Sequence, residues 1–165
     1  MTVSRLIARP MLSSIFLVGA VGALKNTSAS ATKAAPITDR LVPLARKAAP
    51  QLPIPEDPAT LVRINAGVQI AAALALATGR MPRTSAAVLA ASLVPTTAAG
   101  HRFWEVEDPA QRTQQKLHFF KNVSLVGGLI IAAGDTDGRP GVAWRARHAA
   151  KDARREARLA AAKLR

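Results

Sequence analysis

The chain has no cysteine and no tyrosine, and only four Phe and two Trp in 165 residues. The missing thiols exclude disulfides, thiolate metal sites, cysteine-ligated iron–sulfur clusters and any cysteine nucleophile. The scarcity of aromatics removes the stacking platforms that single-stranded nucleic acid requires. Acidic residues are few, ten against 23 Lys and Arg, which leaves a formal charge of +13. No segment alternates apolar and polar residues with period two, so strands are not expected. No internal repeat is found. P-loop, GxGxxG, HExxH and nucleophile-elbow patterns are all missing. What remains is a chain that is 49% hydrophobic, built from Ala, Leu, Val and Ile, with a mean hydropathy of +0.13.

The apolar residues are gathered into four runs, at about 4–24, 59–78, 84–100 and 117–133. A bilayer core about 30 Å thick takes ~17–25 helical residues, and each run reaches the short end of that range with its flanks. Sharp punctuation separates them. Gly79-Arg80-Met81-Pro82-Arg83 stops one helix and restarts the next. Asp108-Pro109-Ala110 reads as a capped helix start, and Gly134 to Pro140 ends the fourth run. Between Lys25 and Pro58 lie six prolines, which predict the absence of a long helix and leave room for a short amphipathic one at Thr38–Ala48. There Leu41, Leu44 and Ala45 share a face, with Arg40, Arg46 and Lys47 elsewhere. The expected fold is all-α: a transmembrane four-helix bundle over residues 1–140, followed by a basic cytoplasmic helix over 141–165.

Charge sorts with the connections. Arg5 and Arg9 precede the first run, Arg80 and Arg83 fill the second loop, and nine basic residues from Arg139 to Arg165 follow the fourth. Thirteen of the 23 cations thus fall on one side if all four runs cross, and Asp39, Glu56, Asp57, Glu105, Glu107 and Asp108 fall on the other. By the positive-inside rule this is a multi-pass protein of the cytoplasmic (inner) membrane with both termini cytoplasmic. A rival reading takes the first run as a secretion signal, with a small-residue cleavage site at Ser28-Ala29-Ser30-Ala31. Cleavage would leave three spans. The tail from Ala143 reads either as a solvated helix or as one lying on anionic lipids, where each cation adds about 1 kcal/mol. With Trp144 as its one aromatic it is not expected to bind nucleic acid.

Polar residues within the apolar runs are the functional candidates. Asn65 and Gln69 are spaced i, i+4 and share a helix face, where they serve either interhelical hydrogen bonds or a ligand. Arg63, one turn from the end of its run, is expected to snorkel to the interface. His101, Arg102, His118, Lys121 and Asn122 flank the connection between the third and fourth runs, beside Phe103, Trp104, Phe119 and Phe120. The aromatics fit an interfacial belt. The polar set could hold an anion or a quinone head, and its histidines titrate near neutrality. Two histidines without a spacing signature define no haem or metal site, and no metal or other cofactor is evident beyond a quinone.

Several stretches together resemble the DoxX family of bacterial membrane proteins, in its actinobacterial form. They are Phe16 to Lys25, Leu61 to Gln69, Thr78 to Arg83, Leu93 to Trp104 with its Gly-His-Arg-Phe-Trp core, and Phe120-Lys121-Asn122 leading to Gly127-Gly128. The resemblance implies a four-helix membrane bundle. It also implies association with other subunits of a membrane redox complex, quinone-linked or engaged in sulfur oxidation, with little catalysis by the subunit alone. Many members carry a Glu in the second span; here Asn65 or Gln69 stands in that neighbourhood, which weakens any borrowed proton-transfer role. A non-catalytic scaffold, its polar residues stitching helices together, is the alternative.

Overall fold

The computed structural model describes residues 3–136 and 142–163, and the described residues are helical with no strand. Six helices follow one another: α1 Val3–Lys25, α2 Thr27–Ala48, α3 Pro58–Ala77, α4 Pro82–Gly100, α5 Pro109–Gly134 and α6 Val142–Lys163, with a single 3-10 turn at Phe103–Glu105 before α5. Two compact units result. One holds α1 to α5; α6 belongs to the other. The break expected at Asp137–Pro140 and the terminal Arg165 lie outside the described residues.

Local chemistry explains the helix starts. The Asp57 carboxylate accepts from Ala59 N, Thr60 N and Thr60 Oγ1 at 3.3, 2.8 and 2.6 Å, with Pro58 at the first helical position. This satisfies the orphan amides of α3 and leaves the carboxyl below its ordinary pKa of 3.8, chiefly through the Thr60 hydroxyl bond. Asp108 repeats the device before Pro109, accepting from Gln111 N at 2.8 Å. The α3–α4 corner is tight: Gly79 has φ 71° and Met81 φ 48°. The Arg83 Nε, in the first turn of α4, donates to the carbonyl of Ala133 at 3.0 Å. That places a cation on the negative end of α5.

Helix α2 corrects the expectation of a proline-broken loop. It runs 22 residues through Pro36 and Pro43. Each proline removes one backbone donor, at a cost of about 3 kcal/mol in a helix interior. The two lie seven residues apart, on one face, and both are exposed, so the carbonyls they orphan can be hydrated. The opposite face packs on α3 and α4, and that burial offsets the loss. A single residue, Asn26, separates α1 from α2.

Within the bundle unit α1 packs along α3, α3 against α4, and α4 against α5. The core is small: Phe16, Ala73, Leu76, Ala86, Leu89, Leu93 and Leu129. The surface is the more telling part. Val18 is 70% exposed, Ile131 77% and Leu117 69%, while Gln69 is 7% and Asn122 9% exposed. Large aliphatic side chains outside and amides inside are the reverse of a water-soluble bundle, and an apolar surface of this extent needs lipid or a partner to cover it. Three helices, α1, α3 and α5, are long and apolar enough to cross a membrane. The 19-residue α4, expected as a fourth span, is not among them; its Ser, Thr and Gly lower its hydropathy. The chain is an all-α membrane protein with several apolar helices.

Candidate functional site

A cavity of about 630 Å³ lies between α2 and the bundle. That falls within the size range of small-molecule sites, about 300–1,000 Å³. One wall is a stripe of α2 formed by Ser30, Lys33, Ala34, Ile37, Thr38, Leu41, Val42 and Ala45. Their spacing of three and four residues is one helix face. Leu44, grouped with Leu41 and Ala45 by sequence, does not line the cavity. The other walls come from Phe16 and Gly19 of α1, Ile64 to Gln69 of α3 apart from Gly67, Pro95, Thr96, Ala99 and Gly100 of α4, and Lys121, Asn122 and Leu125 of α5.

Five of the seven candidate residues line this cavity: Asn65, Gln69, His101, Lys121 and Asn122. They differ in what their polar atoms do. Gln69 Nε2 donates to Ser92 Oγ at 3.1 Å, and Asn122 Nδ2 donates to Thr97 Oγ1 at 3.0 Å, so both amides tie neighbouring helices. The Asn65 side chain makes no hydrogen bond among the described residues. Beside Pro95, which cannot donate to Ala91, the Thr96 hydroxyl donates to the carbonyls of Ser92 and Leu93, both at 3.0 Å.

The two remaining candidates stand outside the lining. Arg102 is held by Glu105 at 3.0 Å. His118 stacks on His101, ring centroids 5.3 Å apart and 23° between planes. The four rings and side chains form a row: His101 Nδ1 is 2.7 Å from Gln115 Oε1, and the Lys121 Nζ donates to His118 Nδ1 at 3.3 Å. Phe103, Trp104, Phe119 and Phe120 pack edge to face beside it, with Phe103 and Phe119 centroids 5.4 Å apart. No group of three or more metal-ligating side chains occurs among the described residues.

Sequence reasoning missed the α2 wall. Its signal was present as the three- and four-residue spacing from Ser30 to Ala45, obscured by the prolines. It also missed Ser92 and Thr97, whose hydroxyls are legible as partners only once α4 is docked between α3 and α5.

An apolar-surfaced helical bundle with a side cavity that mixes aliphatic walls and a few polar groups defines a membrane protein with a cavity of small-molecule size on its flank. The family model for DoxX matches residues 4–102, α1 through α4, and the chain belongs to the DoxX family. No curated protein and no solved structure matches it.

Proposed function

We propose that this DoxX-family protein is the membrane subunit of a quinone-linked redox or sulfur-oxidation complex, non-catalytic alone, which holds a lipid-soluble ligand in the α2 cavity. The convergence of Asn65, Gln69, His101, Lys121 and Asn122 on one cavity carries the reading. A quinone supplies two-electron redox chemistry when bound. Toward it the chain offers the unengaged Asn65 amide and the Lys121 ammonium as hydrogen-bond donors for a carbonyl oxygen. The aliphatic stripe of α2 offers a bed for an isoprenoid tail. His101 and His118 sit beside Lys121, where protons reach such a head.

In this reading α1, α3, α4 and α5 all cross the inner membrane, both termini are cytoplasmic, and α2 lies at the outer face. The burial of Phe16 and Ala20 against the rest of the bundle argues for an α1 that is retained rather than cleaved. The basic helix α6 then lies on anionic lipids. Arg147, Lys151, Arg154 and Arg155 are spaced i, i+4, i+7, i+8, one face of a helix whose residues 144–156 are all exposed.

Affinity purification from mild detergent, followed by binding of a short-tailed quinone analogue, tests the proposal. Co-purifying redox subunits together with saturable quinone binding are expected; a lone subunit with neither would overturn it. One observation favours the scaffold reading: Gln69 and Asn122 are consumed by helix–helix bonds. Under that reading His101→Ala and Lys121→Ala leave partner recruitment and redox phenotype intact. Under the ligand reading the phenotype is lost at normal expression.

A further inference from the structure

We propose that the α2 cavity selects by charge and takes a single-chain amphiphile with an anionic head, the head gripped between Lys33 of α2 and Lys121 of α5. The inference rests on the reading of the cavity as a ligand site, and is independent of whether quinone is its occupant.

The argument begins with the position of Lys33. Helix α2 carries Lys33, Asp39, Arg40, Arg46 and Lys47. Of these only Lys33 falls on the stripe that lines the cavity. Had α2 served only to cap an apolar wall, a lysine there would be a cost, because an ammonium next to aliphatic surface loses part of its hydration. Lys121 faces the same space from α5, and His101 from the end of α4.

Among the described residues the two lysines have no counter-charge. No Asp or Glu lines the cavity, and neither lysine is in an ion pair among the described residues. Two carboxylates of the bundle unit, Asp39 and Glu107, are exposed and do not line the cavity, and the other four are engaged elsewhere. Glu56 pairs with Arg46 and Glu105 with Arg102. Asp57 and Asp108 cap α3 and α5. Lys121 has only the neutral acceptor Nδ1 of His118.

A concave site with fixed cations, low-dielectric walls and no acid attracts an anion. The rest of its wall is mostly aliphatic, with a few hydroxyls and amides, which suits an anion that brings an apolar chain. The space, about 630 Å³, is that of one small ligand. A neutral quinone suits the aliphatic wall and can accept from Asn65 and Lys121, but it brings no counter-charge to either ammonium group. An acyl or isoprenoid chain ending in a carboxylate, sulfonate or phosphate satisfies both parts at once. By bonding Lys33 it would also hold α2 against the bundle.

The test uses the full-length protein in nanodiscs of zwitterionic phosphatidylcholine, with a photoactivatable long-chain carboxylate and its methyl ester at equal mole fraction in the lipid. Adducts are located and quantified by mass spectrometry. The acid is expected to label cavity-lining peptides of α2, α3 and α5 at least tenfold more than the ester. Lys33→Met with Lys121→Met brings the acid down to the level of the ester. Lys33→Glu, a single change on an exposed residue, does the same should the double variant not fold. Equal labelling by acid and ester in the native protein overturns charge selection and leaves the cavity standing as a ligand site. A preference that survives the lysine substitutions has the same meaning. If acid, ester and a photoactivatable quinone analogue all miss the cavity, the ligand-site reading falls as well.

Discussion

Replacing Gly19 by Leu separates a ligand cavity from a packing defect, because the two accounts assign it different signs. Gly19 lines the cavity, and a Cβ built on it meets nothing within 4 Å. A leucine therefore grows into open space. Removing a glycine from a helix interior stabilises by about 0.5–1 kcal/mol, with added contacts to the cavity wall, so the ligand-free protein should unfold later. Binding should suffer. At a concentration of about 100 times the dissociation constant, a ligand stabilises by ~2.7 kcal/mol. If the leucine weakens affinity tenfold, the same concentration is only about 10 times the new constant, and the stabilisation falls to ~1.4 kcal/mol. Gly22→Leu is the control. Gly22 also has open space at its Cβ but does not line the cavity, so it should show the gain without the loss. Unfolding of both variants in neutral nanodiscs, with and without the acyl carboxylate and the quinone analogue, reads both quantities. A Gly19→Leu protein that is stabilised by ligand as strongly as the native one would refute the cavity as the binding site. One destabilised without ligand would refute the open space.

Other expectations follow from individual contacts. Thr97→Val strands the buried Nδ2 of Asn122, costing about 1–3 kcal/mol. Adding Asn122→Leu should recover part of that loss, and strictly additive effects in a detergent-unfolding cycle would argue against the bond between them. The capping carboxylate of Asp57 has its pKa lowered in the folded chain. Its contribution is therefore complete above the ordinary aspartate value near 3.8 and lost as pH falls through the lower folded value. Asp57→Asn should remove that acid sensitivity from the unfolding profile while keeping a cap. Reversing Arg147, Lys151, Arg154 and Arg155 to Glu should abolish any preference of an isolated α6 peptide for phosphatidylglycerol over phosphatidylcholine vesicles, while nucleic-acid binding by the native peptide in place of vesicle binding would overturn the assignment of that face to lipid.

Much of the helical framework was legible in the sequence because the stops carry their own chemistry. Asp108-Pro109 names its helix start by a carboxylate with a donor-free first residue behind it, and Gly79 names a stop by the positive φ it adopts. Asn65 and Gln69 could be assigned to one face from their spacing alone. Their different fates could not be read in this way. Gln69 meets Ser92 across 23 residues of sequence, and Asn65 opens on the cavity. That division depends on how α3 rotates against α4, which composition does not encode. Arg102, grouped with this polar set by sequence, stands outside the cavity lining, where Glu105, three residues on, holds it. Helix α2 was obscured by weighing its prolines singly. Taken as a pair seven residues apart they mark the outer face, and the complementary stripe becomes visible.

Of the four helices expected to span, the one that falls short of a span's hydropathy is the one most enclosed by protein. Helix α4 buries Ser85, Ala86, Leu89, Ser92, Leu93 and Thr97, more than any other element, and it is touched by α2, α3 and α5. A helix that meets other helices on several sides needs little apolar surface of its own. Small side chains let its neighbours approach, and hydroxyls can engage them. Ser92 receives Gln69 from α3, and Thr97 receives Asn122 from α5. Helices α1 and α5 have fewer neighbours and turn Val18 and Ile131 outward. Helix α4 can thus fall short of the hydropathy of a span while its partners surround it. The cavity lies over its second half, beside Pro95 and Thr96, where α2, the one amphipathic helix of the unit, covers what the bundle leaves open.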